Sequence, residues 1–421
     1  MNSVIGTKLI DSNGRILADK IGQILIAKPY LQSLSRLDIE RAIRSYISYP
    51  IFKVELLNRD ETPFEDITRY ISDKSFNYNQ DHQSGQVRSI SFDLIDKDGY
   101  YFPSPIGKIW YGTKIGLSLG LLVDNTVIYF PKGIFAVKEA SYNYGTLKIQ
   151  TVDKFGFLDG TISGTTESKF QIDPNTPVIE AVNKLLSIKD EGGYVYDEKE
   201  VFYPDKYKDS VVPYTIKNDY ASNIGEIIIE LGKIISCTVF YDDYGHLTFE
   251  PFNEISEFSN REVVWVFRDG ESQYSDTSMD IKFPEVYNKV LVVGSNINGY
   301  ICKGEASNKN PASATAIGVC PVKFLYIEDS NIYNGDLCQT RADYELQHAS
   351  LLSTPIRFRS IYIPLLVVNG LIEYTNNKIL NGNGGNRLFN NEKLLITSLS
   401  FSGDGIFNVS AKNIRELPFN G

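Results

Sequence analysis

The 421-residue sequence predicts a mainly β fold with an α+β insert, in which two β-barrel-like halves flank a smaller α/β domain. Three observations predict it. Tyr and Phe number 27 and 23 against 2 Met and 2 Trp, and both favour strands. Two stretches, 51–160 and 280–421, alternate apolar and polar residues between turn signals, as the short strands of a barrel or sandwich do. Between them, in 161–279, apolar residues recur at helical spacing. The chain is longer than one hydrophobic core usually serves, so several domains are expected, with 1–50 as an extension and helix.

Each element has its own signal. The apolar run 21–27 reads as a short strand. Ser35 is placed to cap a helix carrying Leu37, Ile39, Ile43 and Ile47, with Arg36, Arg41 and Arg44 between them. That helix either packs on the next domain or docks a neighbouring protein. Phe52, Val54 and Leu56 then alternate with Lys53 and Glu55. Further strands are expected at 89–96, 114–122, 126–130, 134–140 and 145–153. Turn signals separate them at Asp98-Gly99, Asp124-Asn125, Pro131-Lys132-Gly133 and Asn143-Tyr144-Gly145.

In the middle, Thr176-Pro177 looks like a cap followed by proline at the first helical position. Val178, Ile179, Val182, Leu185 and Leu186 follow at helical spacing. A second helix is expected to start near Asn218 or Asp219, with Ile224, Ile227, Ile228, Leu231, Ile234 and Ile235 as its core stripe. A hairpin follows, with Asp242-Asp243-Tyr244-Gly245 as its turn, and 192–213 reads as a long loop. Past 280, strands are expected at 286–294, 361–364, 371–375, 393–401 and 405–411. A helix capped by Asp336 interrupts them, carrying Leu337, Ala342, Leu346, Ala349 and Leu352.

Composition excludes several functions. The formal charge is −10, which argues against a nonspecific nucleic-acid binder. Cys237, Cys302, Cys320 and Cys338 contain no CxxC and read as buried free thiols. His82, His246 and His348 are isolated, leaving little material for a His-based zinc site or a Ser-His-Asp triad. No apolar run is long enough to span a membrane, and the N-terminus is polar where a signal peptide needs an apolar stretch.

The remaining motifs have plain readings. The segment NGNGGNR at 381–387 lacks the phosphate-loop pattern and reads as a flexible hairpin tip. Asp96-Lys97-Asp98-Gly99 starts like a calcium loop but lacks the later acidic ligand, so it reads as a turn. The carboxylate pairs Asp242 and Asp243, Asp96 and Asp98, and Glu61 and Glu65 read as turn formers and solvated acids. His82 sits in a polar loop and receives no role. No catalytic, cofactor-binding or metal-ligating residue is assigned, no cofactor is expected, and the chain reads as a non-enzymatic assembly protein.

The order of motifs carries more than any one of them. KVELL at 53–57, FEDITRYI at 64–71 and GQVRSISFDL at 85–94 precede GIFAV at 133–137 and DKFGFL at 153–158. NKVLVVG at 288–294, a helix over 341–352 and a strand over 356–364 lead to LLITSLSF at 394–401 and GIFNVSA at 405–411. This series, over about 35–421, resembles the tail hub proteins of long-tailed bacteriophages, with 192–213 longer than usual and 1–34 outside the pattern.

The resemblance implies two tube-protein-like β-barrels per chain. It implies a homotrimeric ring joining the sixfold tail tube to the threefold tail tip and lining the DNA channel used in genome ejection. The implied partners are a tail tube or distal tail protein above and a spike, fibre or tip protein below. DNA is met only in transit, without membrane insertion. The protein would be made in the host cytoplasm and located in the virion tail. No cell-wall hydrolase motif follows the second half. Residues 1–34 are expected to lie against a neighbouring subunit or tail protein, by strand addition. Two rival readings stay open. One is a receptor- or carbohydrate-binding tail protein with aromatic patches on loops. The other is a glycan-cleaving enzyme with two carboxylates across a groove.

Overall fold

The structure is a computed structural model. It describes residues 7–8, 26–27, 36–45, 50–123, 126–189, 193, 195–235, 237–251, 261–271, 273–279, 284, 286–297, 300–311, 313–329, 332, 334–350, 355–380 and 387–413. The fold is mainly β, as the alternation predicts, and 13 strands share one sheet. In the N-terminal extension, Thr7–Lys8 (β1) pairs with Ile26–Ala27 (β2). The helix Arg36–Ser45 (α1) follows and buries Ile39 and Ile43 against the main core.

A first β unit comprises Ile51–Leu57 (β3), Pro63–Asp66 (β4), Arg88–Ile95 (β6), Lys114–Val123 (β7), Thr126–Asn143 (β8) and Thr146–Asp153 (β9). Their order is β4–β3–β7–β8–β9–β6. Past β4 the chain bridges back to Leu94 through Ile71, so the six strands come round on themselves. Val54, Leu56, Phe92, Leu94, Leu117 and Leu119 point inward at every second position, the spacing a half-buried strand requires. At the β8–β9 hairpin Tyr144 and Gly145 both have positive φ, 45° and 80°, which a tight two-residue turn demands.

One expected turn is not a turn. Pro131-Lys132-Gly133 lies inside β8, an 18-residue strand, where the pairing with β7 skips one residue. The skipped residue is Lys132, so the Pro–Gly signal marks a bulge. The bulge turns Lys132 inward, where its Nζ donates to Leu366 O at 2.8 Å. The expected turn at 124–125 lies outside the described residues.

A second β unit uses Val263–Phe267 (β14), Tyr274–Met279 (β15), Ile356–Ser360 (β19), Leu371–Leu380 (β20), Arg387–Ser402 (β21) and Phe407–Asn413 (β22), in the order β14–β20–β21–β22–β19–β15. Its two end strands meet through the Phe267 and Tyr274 rings, 6.0 Å apart. The two units share one sheet because β21 switches partners. Its first half pairs with β20, and its last residues, 398–402, pair with Asn77–Asp81 (β5), which continues into β6. One core runs through both units, including the stacked Phe52 and Phe76 (4.4 Å) and the Phe76–Phe401 edge contact (6.0 Å).

A second core is α/β. It holds Phe170–Ile172 (β10), Val178–Leu186 (α2), Ile216–Asn218 (β11), Ile224–Ile234 (α3) and the hairpin Cys237–Tyr241 (β12) with Leu247–Pro251 (β13). It also holds Lys289–Ile297 (β16), Tyr300–Ser307 (β17), Phe324–Glu328 (β18) and Gly335–Ala349 (α4).

This partition corrects the expected boundary at 280. Residues 263–279, expected in the insert, pair into the second β unit, while 289–349, expected in the second barrel, share the insert's core. Alternation marks a strand but not its neighbour, and the neighbour decides which core a strand joins. Other corrections are local. The helix expected near 218 starts at Ile224, because 216–218 pairs with β10. The cap of α2 is Pro177, one residue later than expected, and that of α4 is Asn334, whose side chain accepts from Asp336 N at 2.8 Å. The strand expected at 361–364 is 356–360, and 361–370 crosses to the first β unit. Leu352 and 381–386 lie outside the described residues, as do 1–6, 9–25 and 28–35.

Candidate functional site: a buried ionic junction and an exposed aromatic face

The β3–β4 turn places Glu61 at φ 68°, a left-handed conformation costing on the order of 1 kcal/mol for a residue with a side chain. The side chain is buried and reaches three ammonium groups. Lys114 Nζ lies 2.8 Å and Lys154 Nζ 2.7 Å from Oε1, and Lys199 pairs with Oε2. Burial pushes the Glu61 carboxyl up, but Lys154, Lys114 and Lys199 outweigh it and hold it at about 2.

Lys154 is 1% exposed, and its neighbours belong to three segments. It pairs with Glu61 of the first β unit and with Asp197 Oδ1 at 2.9 Å, and donates to Gly245 O at 2.9 Å. Asp197 and Lys199 come from the long loop 192–213, which thereby acquires a structural task. Lys199 Nζ also holds Tyr244 O at 2.6 Å. The tip of the β12–β13 hairpin is thus gripped by ammonium groups at two successive carbonyls.

A second cluster grips the same tip from the other side. Arg88, buried on β6, pairs with Asp243 Oδ1 at 2.9 Å and donates to Asp242 O at 2.8 Å. Asp242 Oδ1 accepts from Tyr244 N and His246 N at 2.9 and 2.8 Å, which shapes the turn. Burial, with Asp243 beside it, pushes Asp242 up to about 6. Asp153 accepts from the amides of Val87, Arg88 and Phe155 at 2.8, 3.2 and 2.8 Å, yet burial still pushes it up to about 6. The Glu61 side chain is therefore buried and bonded, not the solvated acid the sequence suggests, while the half-buried Asp242 is the turn former it suggests.

His82, given no role from sequence, sits where all three parts meet. Its amide donates to Thr397 O of β21 at 2.9 Å, and its Nε2 lies 3.8 Å from Glu250 Oε2 on β13. Glu250 in turn pairs with buried Arg261 at 3.3 Å, and Arg261 donates to Asn369 O at 3.1 Å. Nearby, Gly85 N donates to Val239 O at 2.8 Å and locks the β5–β6 loop against β12.

The outer surface of the first β unit carries the second feature. Residues 99–112 and the β8–β9 tip expose Tyr100, Phe102, Ile106, Trp110, Tyr111 and Tyr144. The rings are held by specific contacts. Phe102 meets Tyr142 edge-on at 5.3 Å, and the Lys108 ammonium lies 4.1 Å above Tyr100. The hydroxyls of Tyr111 and Tyr142 donate to Thr161 O and Asp96 O, both at 2.9 Å. Glu65 accepts from Tyr101 Oη at 2.8 Å and pairs with Lys108, and Asp96 Oδ2 accepts from Tyr101 N at 3.0 Å. The paired acids flagged in the sequence thus shape this loop.

Cys237, Cys302 and Cys338 are buried free thiols and Cys320 is half-buried. Burial pushes Cys237 up to about 12 and, with Cys302 beside it, Cys338 up to about 11, values that suit unreactive thiols. Among the described residues, no three His, Cys, Asp or Glu side chains come together in a way that could hold a metal ion. No described helix is long and apolar enough to cross a membrane.

Sequence reasoning found Glu61 and Asp242 as carboxylates but missed Arg88, Lys154 and Lys199. The available signal was Lys154 itself, a base that follows Asp153 and directly precedes the apolar run FGFL.

No protein-family model matches the chain, and no curated protein matches it in sequence. Several solved structures share its fold. The 43 kDa tail protein of prophage MuSo2 from Shewanella oneidensis is 12% identical at a TM-score of 0.53, over 86% of this chain and 98% of that one. Prophage tail protein gp18 from Listeria monocytogenes EGD-e is 13% identical at 0.51, over 86% and 94%. The tail protein from Neisseria meningitidis MC58 is 9% identical at 0.52, over 86% and 96%. The fold is that of phage tail proteins, as the order of sequence motifs implies.

Proposed function

We propose that the chain is a structural hub of a phage tail or baseplate, working by assembly and not by catalysis. One observation carries the reading: each chain holds two six-stranded β units joined in a single sheet by the β5–β21 pairing. Three such chains in a ring present six units, which matches a sixfold tube to a threefold tip. The first β unit spans about 51–160. The second, in its corrected form, draws on 261–279 and 355–413.

In this reading the protein resides in the virion tail. A tube or distal tail protein binds above and a spike, fibre or tip protein below. DNA passes through the ring during ejection. The formal charge of −10 per chain suits a channel that does not hold phosphates, provided acids line it.

The exposed rings of 99–112 fit a protein contact, since Tyr, Trp and Phe are enriched in interface cores and these are already held in place. A carbohydrate-binding reading also draws on these rings, but the hydroxyls of Tyr111 and Tyr142 are bonded to backbone carbonyls and do not face outward for a sugar.

Native mass spectrometry and negative-stain imaging of the purified protein test the proposal. A trimer with an axial hole is expected. Monomers or dimers alone at micromolar concentration would overturn the ring, and binding to host polysaccharide without a ring would favour the receptor reading.

A further inference from the structure

Strand edges with bare amides and carbonyls invite pairing with other chains, and folded proteins blunt them. Four edges of this chain are blunted. Strand β4 is four residues long and begins with Pro63, followed by Glu65 and Asp66. Strand β15 breaks its register near Asp276, whose φ is 53°. On β17, Gln339 of α4 occupies both backbone groups of Glu305, accepting from its N at 3.2 Å and donating to its O at 3.0 Å. On β12, Ser84 Oγ and Gly85 N bond the two backbone groups of Val239.

Strand β18, the other edge of the β17–β16–β18 sheet, has only one of these devices, the acid Glu328 at its end. Its sequence, FLYIE, contains no Pro or Lys, and its register with β16 is unbroken from Phe324 to Glu328. Lys323 O and Asp329 N bond toward β16. Alternation along a parallel ladder therefore turns the amides and carbonyls of Phe324, Tyr326 and Glu328 to the open side. Among the described residues no hydrogen bond reaches those groups. The side chains of Phe324 and Tyr326 are about half exposed on the face away from α4.

The charges around this edge point to its occupant. Residues 323–329 read KFLYIED, with a base three residues before Tyr326 and an acid three residues after it. We infer that β18 pairs antiparallel with β18 of a second copy of this chain, about a twofold axis at Tyr326. Tyr326 then faces its own copy, Phe324 faces Glu328, and Lys323 faces Asp329. Lys323 already lies 4.4 Å over the Tyr287 ring, so it adds its charge and not a new bond. The contact is isologous, so it lies outside a threefold ring and joins two rings or two free chains.

Cysteine cross-linking of the full chain under a mild oxidant tests the register. A hydrogen-bonded antiparallel pair sets its Cα atoms about 5.5 Å apart, within disulfide range. Tyr326→Cys should give a covalent dimer. Phe324→Cys alone should not, while a mixture of Phe324→Cys and Glu328→Cys chains should. The wild-type chain is the control for its four native thiols. Separately, Tyr326→Pro removes an outward donor without breaking a bond to β16. It should weaken self-association in sedimentation equilibrium by at least about tenfold. Should that variant misfold, Tyr326→Lys serves the same purpose. No cross-link from Tyr326→Cys at roughly 100 μM would overturn the proposal, as would equal cross-linking of Phe324→Cys alone. Self-association unchanged in folded Tyr326→Pro and Tyr326→Lys chains would overturn it too.

Discussion

Replacing Glu61 with Gln removes one charge while preserving bulk and backbone. The wild-type cluster sets Glu61 and Asp197 against the ammonium groups of Lys114, Lys154 and Lys199. Glu61→Gln leaves the buried Lys154 and the half-buried Lys114 and Lys199 with one carboxylate. Two routes give the magnitude. A carboxyl held at about 2 instead of 4.5 stabilises the folded state by about 3 kcal/mol at neutral pH. Removing one partner of a buried ion pair costs about 3–5 kcal/mol. The expected loss is therefore about 3 kcal/mol, read from urea unfolding by far-ultraviolet circular dichroism and Trp fluorescence. Because the folded value is depressed, the wild-type contribution is present above about 4.5 and lost as pH falls through about 2. The variant should lack that acid-side loss. High salt should change little, since Glu61, Asp197 and Lys154 at the centre of the cluster are buried. A loss below about 0.5 kcal/mol at pH 7 would refute the reasoning, because it would mean that the cations find water or other partners.

Three further outcomes follow from the same geometry. Asp153 and Asp242 are both pushed up to about 6, so their contribution is fully present below about 3.8 and lost as pH rises through about 6. The thermal midpoint should rise from pH 7.5 to pH 5, and Asp242→Asn, whose Oδ1 can still accept both amides, should flatten that slope. Gly245→Ala places a Cβ 2.6 Å from Ile134 Cδ1 at φ 79°, and should loosen the hairpin by about 2 kcal/mol, seen as faster proteolysis between 241 and 247. Tyr362 Oη lies 2.6 Å from Ile51 O and 3.0 Å from Gly120 O, so Tyr362→Phe should cost about 1 kcal/mol in the same urea assay.

Strand existence was legible where alternation was clean, as in 88–95 and 146–153, because a period of two has one physical meaning. What lay beyond local reach was the identity of each strand's neighbour. Strands 263–267 and 274–279 follow the insert in sequence but join the second β unit, through pairs with residues about 80 to 110 positions away. The β5–β21 pairing spans more than 300 positions, and no local signal announces it. Pro131 and Gly133 looked like a turn because the same residues serve a turn and a bulge, and only the opposing strand decides between them. The site shows the same limit. Asp242 and Asp243 were recognisable as turn residues, but Arg88, the partner that draws Asp243 inward, sits 155 positions earlier.

The junction and the aromatic face complement one another. Parts that keep one fixed orientation need directional contacts between them. Apolar contact alone permits sliding, because it is non-directional. The hairpin at 242–245 is held instead by directional groups at four points: Arg88 at Asp242 O and at Asp243, Lys199 at Tyr244 O, and Lys154 at Gly245 O. A shift of even one residue would bury those charges unpaired, which low-dielectric surroundings penalise heavily. The ionic cluster thereby fixes the α/β core against the first β unit. The exposed rings of 99–112 belong to that same unit, and Tyr111 Oη is bonded to Thr161 O just beyond β9, where the chain enters the α/β core. A partner that docks on this face meets rings already held in place and loses less side-chain entropy on binding. Charge thus orders the inside of the chain and leaves aromatic rings on its surface.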